Sequence, residues 1–571
     1  MHKLCTFFLS TLLFLQMSLS ADWTKSLGNL QKSDSVKKSY LNGMLAEQSY
    51  GIYEVKHLKS TKNVKELYKN NESKLYWFEE DGNLNQNISN MIESIRLSEN
   101  EGLNQNRYHL DEIEFLFKKM SNSMLFDDRD YNLASTKMDI LLSDAFFTLV
   151  KDLTQSQIDY TSFKNILYKI HDEEDIDYRW EAKPQKVDYF KLLQELMIDG
   201  DFVAGIYANA SENVIYNNLK NAYLRYKSVQ EQGGFQKIKS GKNLKVGSVS
   251  SRVIELRQRL NQSGDLGSFD ETNNKFDNKL KIALKKFQKR VGIWPSGILN
   301  STTQKELNIP IKKRLKMIKL NLERSRWEGS DLSYVRFIIN IPEFKMRFMD
   351  GNKLLLDSRV IVGKKKNPTP IFKSYMTYIV LNPTWSVPNS IVAKELLEKI
   401  QDDPYYLEDR NYKIYDGWNR KRKMVDSFDI DWFDYDKESK IPFNIVKDPG
   451  SSNPLGNVKF MFPNNYAVYM HDTPTKNLFK KSVRAYSHGC IRLHNPQKLL
   501  KFVSKDYLES SYESIKLKLD SGENYSISLN KKIPVYVRYY TAYVDENGGV
   551  VFSKDIYGYD KIHYKLLQKN K

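Results

Sequence analysis

The stretch that decides the reading is Ser487-His488-Gly489-Cys490-Ile491-Arg492-Leu493-His494-Asn495, preceded at a short distance by His471-Asp472-Thr473-Pro474. The 571 residues include two cysteines, and the other, Cys5, lies in an N-terminal stretch that reads as removable. A lone cysteine in an exported chain forms no internal disulfide, so its neighbours decide whether the thiol is inert or reactive. Three of the eight histidines, His471, His488 and His494, crowd around it. An imidazole can take the proton of a thiol. Gly489 lets backbone N–H groups approach a developing oxyanion, and Arg492 supplies a fixed positive charge suited to a carboxylate. His471 closes a candidate strand, Ala467-Val468-Tyr469-Met470, and Asn495-Pro496 reads as the cap and first position of a helix.

Outward from this stretch the pattern is one of strands. Val335 to Ile341 is β-rich, Asp350-Gly351 between two such runs marks a hairpin, and Met376–Leu381 and Tyr466–Met470 are further candidate strands. A second hairpin is expected around Asp545-Glu546-Asn547-Gly548. Strands do not alternate with long helices, which predicts a mostly antiparallel β domain and not a doubly wound sheet. The polar, aromatic stretch 402–453 interrupts it without strong periodicity, as a capping or lid insertion would.

The N-terminal half is helical. Ile88, Met91, Ile92 and Ile95 recur at helical spacing, as do Met138, Leu141, Leu142, Ala145, Phe146 and Leu149 after candidate caps at Ser135 and Thr136. Tyr76, Trp77, Tyr108 and Trp180 read as core. Residues 21–74 are polar without sustained periodicity and read as an irregular extension. The Gly-, Lys- and Ser-rich stretch from Gly233 to Val246 reads as a linker. A compact helical unit follows, with Val253, Leu256 and Leu260 on one face, then Leu280, Ala283, Leu284, Phe287 and Gln288, and Leu307 in a last helix.

Export is read from Met1-His2-Lys3, the apolar run Leu4 to Met17 and the small residues Ser18-Leu19-Ser20 before Ala21, the layout of a Sec-type signal peptide over residues 1–20. The run is shorter than a membrane span; a retained N-terminal anchor is the alternative. The net charge of +18, from 88 basic and 70 acidic residues, fits anionic wall polymers or a membrane surface better than nucleic acid, which an exported chain rarely meets. Lysines are spread along solvated faces, and Arg420-Lys421-Arg422-Lys423 is the one dense cluster. No Gly-rich phosphate loop is present.

The His471 and Cys490 stretches together resemble the catalytic motif of L,D-transpeptidases of the YkuD-domain type, and the wider chain resembles their YcbB-like subgroup. Supporting stretches are Asn321-Leu322-Glu323-Arg324, Asn340-Ile341-Pro342, Val362-Gly363 with Thr369-Pro370, Asn382 to Pro388, Gly456-Asn457-Val458-Lys459-Phe460 and Asp555-Ile556-Tyr557-Gly558. The helical unit with its Ala283-x-x-x-Phe287-Gln288 helix resembles the three-helix peptidoglycan-binding module. The resemblance implies a multidomain α+β chain: signal peptide 1–20, extension 21–74, helical scaffold 75–232, peptidoglycan-binding-like module 247–308, mostly antiparallel catalytic domain 334–545 with capping insertion 402–453, and C-terminal hairpin and tail 546–571.

It further implies Cys490 as nucleophile and His471 as general base, the ring oriented by the backbone carbonyl of Asp472. Tyr469, Ser487, Gly489, Arg492 and Asn495 are implied as oxyanion or substrate contacts, and His488 lines the site without acting as base. The implied reaction is 3-3 cross-linking of peptidoglycan, with a tetrapeptide stem as donor and a diamino acid as acceptor, at the periplasmic face of the envelope. It needs no cofactor and no metal, and contact with the membrane or other wall enzymes is peripheral. L,D-carboxypeptidase activity is the alternative at the same site. Two alternatives of other classes stand beside it: a zinc peptidase using His471, His488, Cys490 and His494, and a non-catalytic wall-binding scaffold.

Overall fold

The computed structural model describes residues 34–48, 51–79, 84–121, 127–198, 201–329, 332–419 and 421–569. The signal-peptide reading of residues 1–20, the start of the 21–74 stretch and Arg420 lie outside them. Among the described residues no helix is long and apolar enough to cross a membrane.

The N-terminal half is built on one long buried helix, Asp128–Gln155. It starts earlier than Ser135 and Thr136 suggested, because Asp127 caps it by accepting the Asp130 N–H at 2.7 Å. Thr136 instead returns its hydroxyl to the Asn132 carbonyl at 2.7 Å, inside the helix. Met138, Leu141, Leu142, Ala145, Phe146 and Leu149 are fully buried against Ile88, Met91 and Ile95 of the helix Gln86–Leu97. The stretch expected to be irregular contains helices Asp34–Leu45 and Thr61–Asn70. These are held by tertiary contact more than by their own pattern: Leu41, Met44, Val64 and Leu67 bury into the same core. Asp139, on the long helix, accepts the Tyr68 hydroxyl at 2.6 Å and the Trp77 N–H at 2.8 Å.

The three-helix unit spans Ser251–Gln262, Asn278–Arg290 and Ser301–Leu307, each capped by the side chain before it (Ser250, Asp277, Asn300). Gln288 is buried and tethers the turn, donating to Thr303 Oγ1 at 3.0 Å and accepting the Gly297 N–H at 2.8 Å. The Gly233–Val246 stretch is not a free linker; Ile238 and Leu244 bury into the unit's core. The helix Ile311–Arg326 then ties the parts together. Asn321 donates to Thr541 Oγ1 at 3.0 Å, Glu323 accepts from the Ser156 hydroxyl at 2.7 Å, and Arg324 pairs with Asp560 at 2.6 Å. Trp180, from the helical half, sits in the core of the β domain beside Trp327 and His563.

The β domain begins with β1 (Val335–Asn340), β2 (Lys345–Asp350), β3 (Lys353–Gly363) and β4 (Phe372–Leu381). The Asp350-Gly351 turn joins β2 to β3, with Asp350 paired to Lys353 and Gly351 in a left-handed conformation (φ +56°). A small inserted sheet follows, β5 (Trp385–Ser386), β6 (Tyr412–Tyr415), β7 (Met424–Val425) and β8 (Asn444–Lys447), in the order β5-β8-β6-β7. It has its own core of Leu396, Leu397, Ile400, Ile414, Trp432 and Ile445. The capping insertion is thus a folded subdomain that starts before residue 402. The main sheet resumes with β9 (Val458–Met461), β10 (Met470–His471), β11 (Ala485–Ser487), β12 (Ile491–Leu493) and β13 (Tyr525–Arg538). The hairpin β14 (Ala542–Val544) and β15 (Val550–Phe552) and the helix Tyr559–Lys569 close the described chain.

The large sheet runs β11-β3-β12-β10-β9-β4-β13-β1-β2, and β2 also pairs with β3, so it closes on itself. Most pairings are antiparallel. Among the described residues the parallel ones are β1–β13, β11–β3 and β10–β12, and the last of these builds the site.

Candidate active site

Three short strands bring the chemistry together. In β10, His471 pairs across the ladder with Lys459 of β9 on one side and with Arg492 of β12 on the other. Residues paired across strands lie on the same face of a sheet, as do residues two apart along one strand. Lys459, His471 and Arg492 therefore form a row, with Tyr469 and Cys490 preceding His471 and Arg492 on the same face. The intervening Met470 and Ile491 point into the core and are fully buried. The candidate strand Tyr466–Met470 is mostly not a strand. Ala467 has φ +52° and pairing starts at Met470, so Tyr469 and Cys490 sit at the frayed end, where the sheet opens.

His471 is buried, and its Nδ1 lies 2.5 Å from the Asp472 carbonyl oxygen. A carbonyl can only accept, so Nδ1 carries the proton and Nε2 is left as the basic nitrogen. Burial, reinforced by the Arg492 guanidinium, holds the imidazole down to about 3, so the ring is neutral over the physiological range. The Asp472 carboxylate turns away from the ring. It accepts the Asn457 N–H at 3.1 Å and pairs with Lys476. Gly456 (φ +59°) is required here, since a Cβ on it would stand 2.5 Å from the Asp472 carboxyl carbon.

The loop before Cys490 is fixed through its backbone. Thr369 donates its hydroxyl to the Gly489 carbonyl at 2.7 Å and accepts the Gly363 N–H at 2.9 Å. The Tyr557 hydroxyl donates to the Gly363 carbonyl at 2.8 Å and accepts the Thr369 N–H at 3.1 Å. Ser487 donates its hydroxyl to the Cys490 carbonyl at 2.5 Å, closing the turn over Gly489, whose φ of +119° is glycine territory. Cys490 is half-buried with Sγ 3.7 Å from the Ala467 carbonyl. Burial pushes its thiol up, partly offset by Tyr469, Lys459 and Arg492. Tyr469 is also raised by burial, and the Lys459 Nζ lies 3.9 Å over its ring.

The other sequence candidates point elsewhere. His488 contacts Glu395 of the cap at 2.6 Å and Lys364 at 3.2 Å. His494 meets Arg359 at 3.0 Å and stacks edge-on against Phe479. Asn495 caps the helix Pro496–Asp506, accepting the Lys498 N–H at 3.2 Å. The four residues weighed as zinc ligands thus have separate partners, and among the described residues no group of three or more His, Cys, Asp or Glu converges. The residue that sequence reasoning missed is Lys459. Its stretch was noted, but its face depends on a ladder that its spacing does not reveal. A separate cavity of about 930 Å³, lined by Lys227, Lys316, Glu323 and Tyr564, lies between helices and contains none of these residues.

Comparison with known proteins follows the same division of the chain. Residues 62–224 match a "Scaffold domain", residues 249–307 a "Putative peptidoglycan binding domain" and residues 334–515 the "L,D-transpeptidase catalytic domain" YkuD. A curated relative described as a "Putative L,D-transpeptidase", from Haemophilus influenzae, is 34% identical over 275 residues, 47% of this chain and 53% of the relative. The chain therefore spans about half the length of that relative. Among solved structures, an L,D-transpeptidase from Mycobacterium smegmatis is 14% identical over 36% of this chain and 58% of that one, with a TM-score of 0.16. One from Xylanimonas cellulosilytica is 12% identical over 52% and 99%, with a TM-score of 0.15. TM-scores this low carry no argument about this chain. The family matches and the curated relative agree: residues 334–515 are similar to L,D-transpeptidase catalytic domains of the YkuD type, on one polypeptide with a stretch that matches a peptidoglycan-binding domain.

Proposed function

We propose that this protein is a cysteine-dependent L,D-transpeptidase that forms 3-3 cross-links in peptidoglycan, with Cys490 as nucleophile and His471 as general base. The observation that carries the reading is the shared sheet face. A neutral imidazole with Nδ1 pinned and Nε2 available stands one strand away from the thiol. His471 takes the Cys490 proton as sulfur attacks the carbonyl of the L-configured third residue of a tetrapeptide stem. The C–N bond to D-alanine breaks, the proton passes from His471 to the leaving amine, and a thioester remains on Cys490. The side-chain amine of a neighbouring diamino acid then attacks the thioester. His471 accepts its proton, the C–S bond breaks, and the thiol is restored. Water in place of the amine makes the same site an L,D-carboxypeptidase. In this reading Tyr469 and the Gly489–Cys490 backbone meet the oxyanion. A three-helix module on the same chain supports peptidoglycan as the substrate polymer, and an envelope location follows from that substrate.

Incubating the full chain with purified tetrapeptide muropeptides, with products and protein read by mass spectrometry, tests this. Wild type is expected to show a thioester-mass intermediate and a cross-linked dimer. Cys490→Ala is expected to show neither while keeping its circular dichroism. Cross-linking by the alanine variant would overturn the nucleophile assignment, and tripeptide without dimer would favour the carboxypeptidase.

A further inference from the structure

Lys459 and Arg492 flank the row that holds His471, and neither meets a carboxylate among the described residues. The Lys459 ammonium is half-buried, anchored over the Tyr469 ring and without a hydrogen-bond acceptor. Arg492 reaches the Thr475 hydroxyl at 3.3 Å with one terminal nitrogen, while its Nε is buried with no partner. The acid that follows His471, Asp472, is already taken by Lys476 and the Asn457 N–H. Burial lowers both Lys459 and Arg492, and the one opposing influence on each is Cys490. Two partly desolvated cations left without a counter-anion are unfavourable in the free protein. Such an arrangement is retained where a ligand supplies the missing charge.

We infer that Lys459 and Arg492 form a carboxylate-binding subsite beside Cys490, which seats an anionic group of the peptide whose carbonyl is attacked. The inference deepens the transpeptidase reading and rests on it for the identity of the peptide. The subsite itself depends on the two cations and an accessible thiol. In a stem peptide the carboxylate comes either from the terminal residue that leaves or from the side chain of the diamino acid. Lys459 is a binding residue in this scheme, and the arginine adds a planar donor fork.

The test compares two alkylating reagents on the full chain, anionic iodoacetate and neutral iodoacetamide, with modification at Cys490 read by peptide mass spectrometry. Both reagents need the thiolate, so the ratio of their rates cancels any change in thiol ionisation and reports attraction of the carboxylate. Lys459→Met is expected to lower the iodoacetate-to-iodoacetamide ratio by about ten-fold, the scale of one lost charge-assisted hydrogen bond, and Lys459→Arg to keep it. An unchanged ratio in Lys459→Met overturns the subsite. If that variant does not fold, the wild-type ratio against ionic strength decides. A fall at high salt supports the subsite, and a salt-indifferent ratio overturns it. These readouts need no cross-linking activity, so the subsite and the transpeptidase reading fail separately. With muropeptides, stems amidated at the terminal carboxyl or at the diamino-acid side chain distinguish the two sources. The form whose turnover no longer responds to Lys459→Met identifies the bound carboxylate, and an equal response from both forms overturns the assignment.

Discussion

The long helix of the scaffold and the catalytic sheet face both bury charge, but they treat it in opposite ways. On Asp128–Gln155 every inward acid is saturated. Asp139 takes the N–H groups of Tyr76 and Trp77 and the Tyr68 hydroxyl. Asp144 takes Ser60 N–H at 2.6 Å and His109 at 2.8 Å, and Asp152 takes Arg107 at 2.6 Å and Tyr108 at 3.0 Å. Each acid fastens a loop that is distant in sequence. On the face of β9, β10 and β12 the charges are cationic, and neither Lys459 nor Arg492 meets an acid among the described residues. The saturated acids fasten the fold, and the unsaturated pair of cations is the proposed carboxylate subsite.

The largest expected effect breaks the catalytic side of this contrast. His471→Ala removes the proposed base and is expected to lower kcat for acyl transfer by about 10²–10⁴-fold, measured with muropeptides by single-turnover mass spectrometry. The same neutrality fixes the pH profile. With the imidazole held to about 3, no loss of rate from its protonation is expected between pH 7 and pH 5. The rate should instead climb on the alkaline side, because the Cys490 thiol is raised. An acid limb centred near the ordinary histidine value would contradict the buried, neutral ring.

The next effect is on stability and belongs to the scaffold. Asp139→Ala removes a fully buried acceptor from the Tyr76 and Trp77 N–H groups and leaves the Tyr68 hydroxyl only Ser143, and is expected to destabilise the helical half by about 3 kcal/mol. Lys459→Met, which removes a partly desolvated charge that meets no acid among the described residues, is expected to raise stability by no more than about 1 kcal/mol. Urea unfolding of both variants checks the pair. A Lys459→Met variant that unfolds as readily as Asp139→Ala would erase the distinction between the two regions.

How much of this was legible in the sequence follows from the same contrast. Ser487-His488-Gly489-Cys490 and His471 stood out because the proposed acyl transfer requires those residue types close together. The helical half was readable from Ile88 to Ile95, where apolar spacing marks the buried face, and from Met138 to Leu149, where the same spacing marks a helix that proves buried on every side. The helices at 34–45 and 61–70 were not, since their hold comes from Asp139 and from packing onto a helix far along the chain. Lys459 was not singled out either. β10 pairs over two residues, Met470 and His471, and strands that short carry no periodicity from which a face or register can be read. The cap looked irregular because its strands are short and its core is assembled from residues as far apart as Leu396 and Ile445.

Acidification separates the regions by sign. His471 sits at about 3 when folded, well below the ordinary 6.5, so between those values the unfolded chain binds the extra proton and the catalytic half loses stability as pH falls. Asp139 is raised by burial from 3.8 to about 6, so between those values the folded chain holds the extra proton and the scaffold gains stability as pH falls. Hydrogen exchange at pH 7 and pH 5, corrected for intrinsic rates, should show protection falling around Met470–His471 and rising around Tyr76–Trp77. Parallel changes in both places would remove the link between charge saturation and pH response.

The smallest expected effect concerns the seam between cap and catalytic face. Glu395 lies in the π-helical turn Val392–Leu396 and reaches His488, two residues before the thiol, with Lys364 beside the pair. The side chains are 44% and 32% exposed, so water competes for both partners and the contact is worth about 1 kcal/mol or less. Glu395→Gln is therefore expected to leave folding unchanged and to move kcat/KM by no more than about five-fold. The effect should be smaller at high salt and reduced in a His488→Ala background, where Glu395 keeps only Lys364 at 4.0 Å, which a double-mutant cycle measures. If Glu395→Gln instead matched the loss in His471→Ala, the cap contact would belong to the reacting centre. The boundary between saturated and unsaturated charge would then run through the cap instead of along β9, β10 and β12.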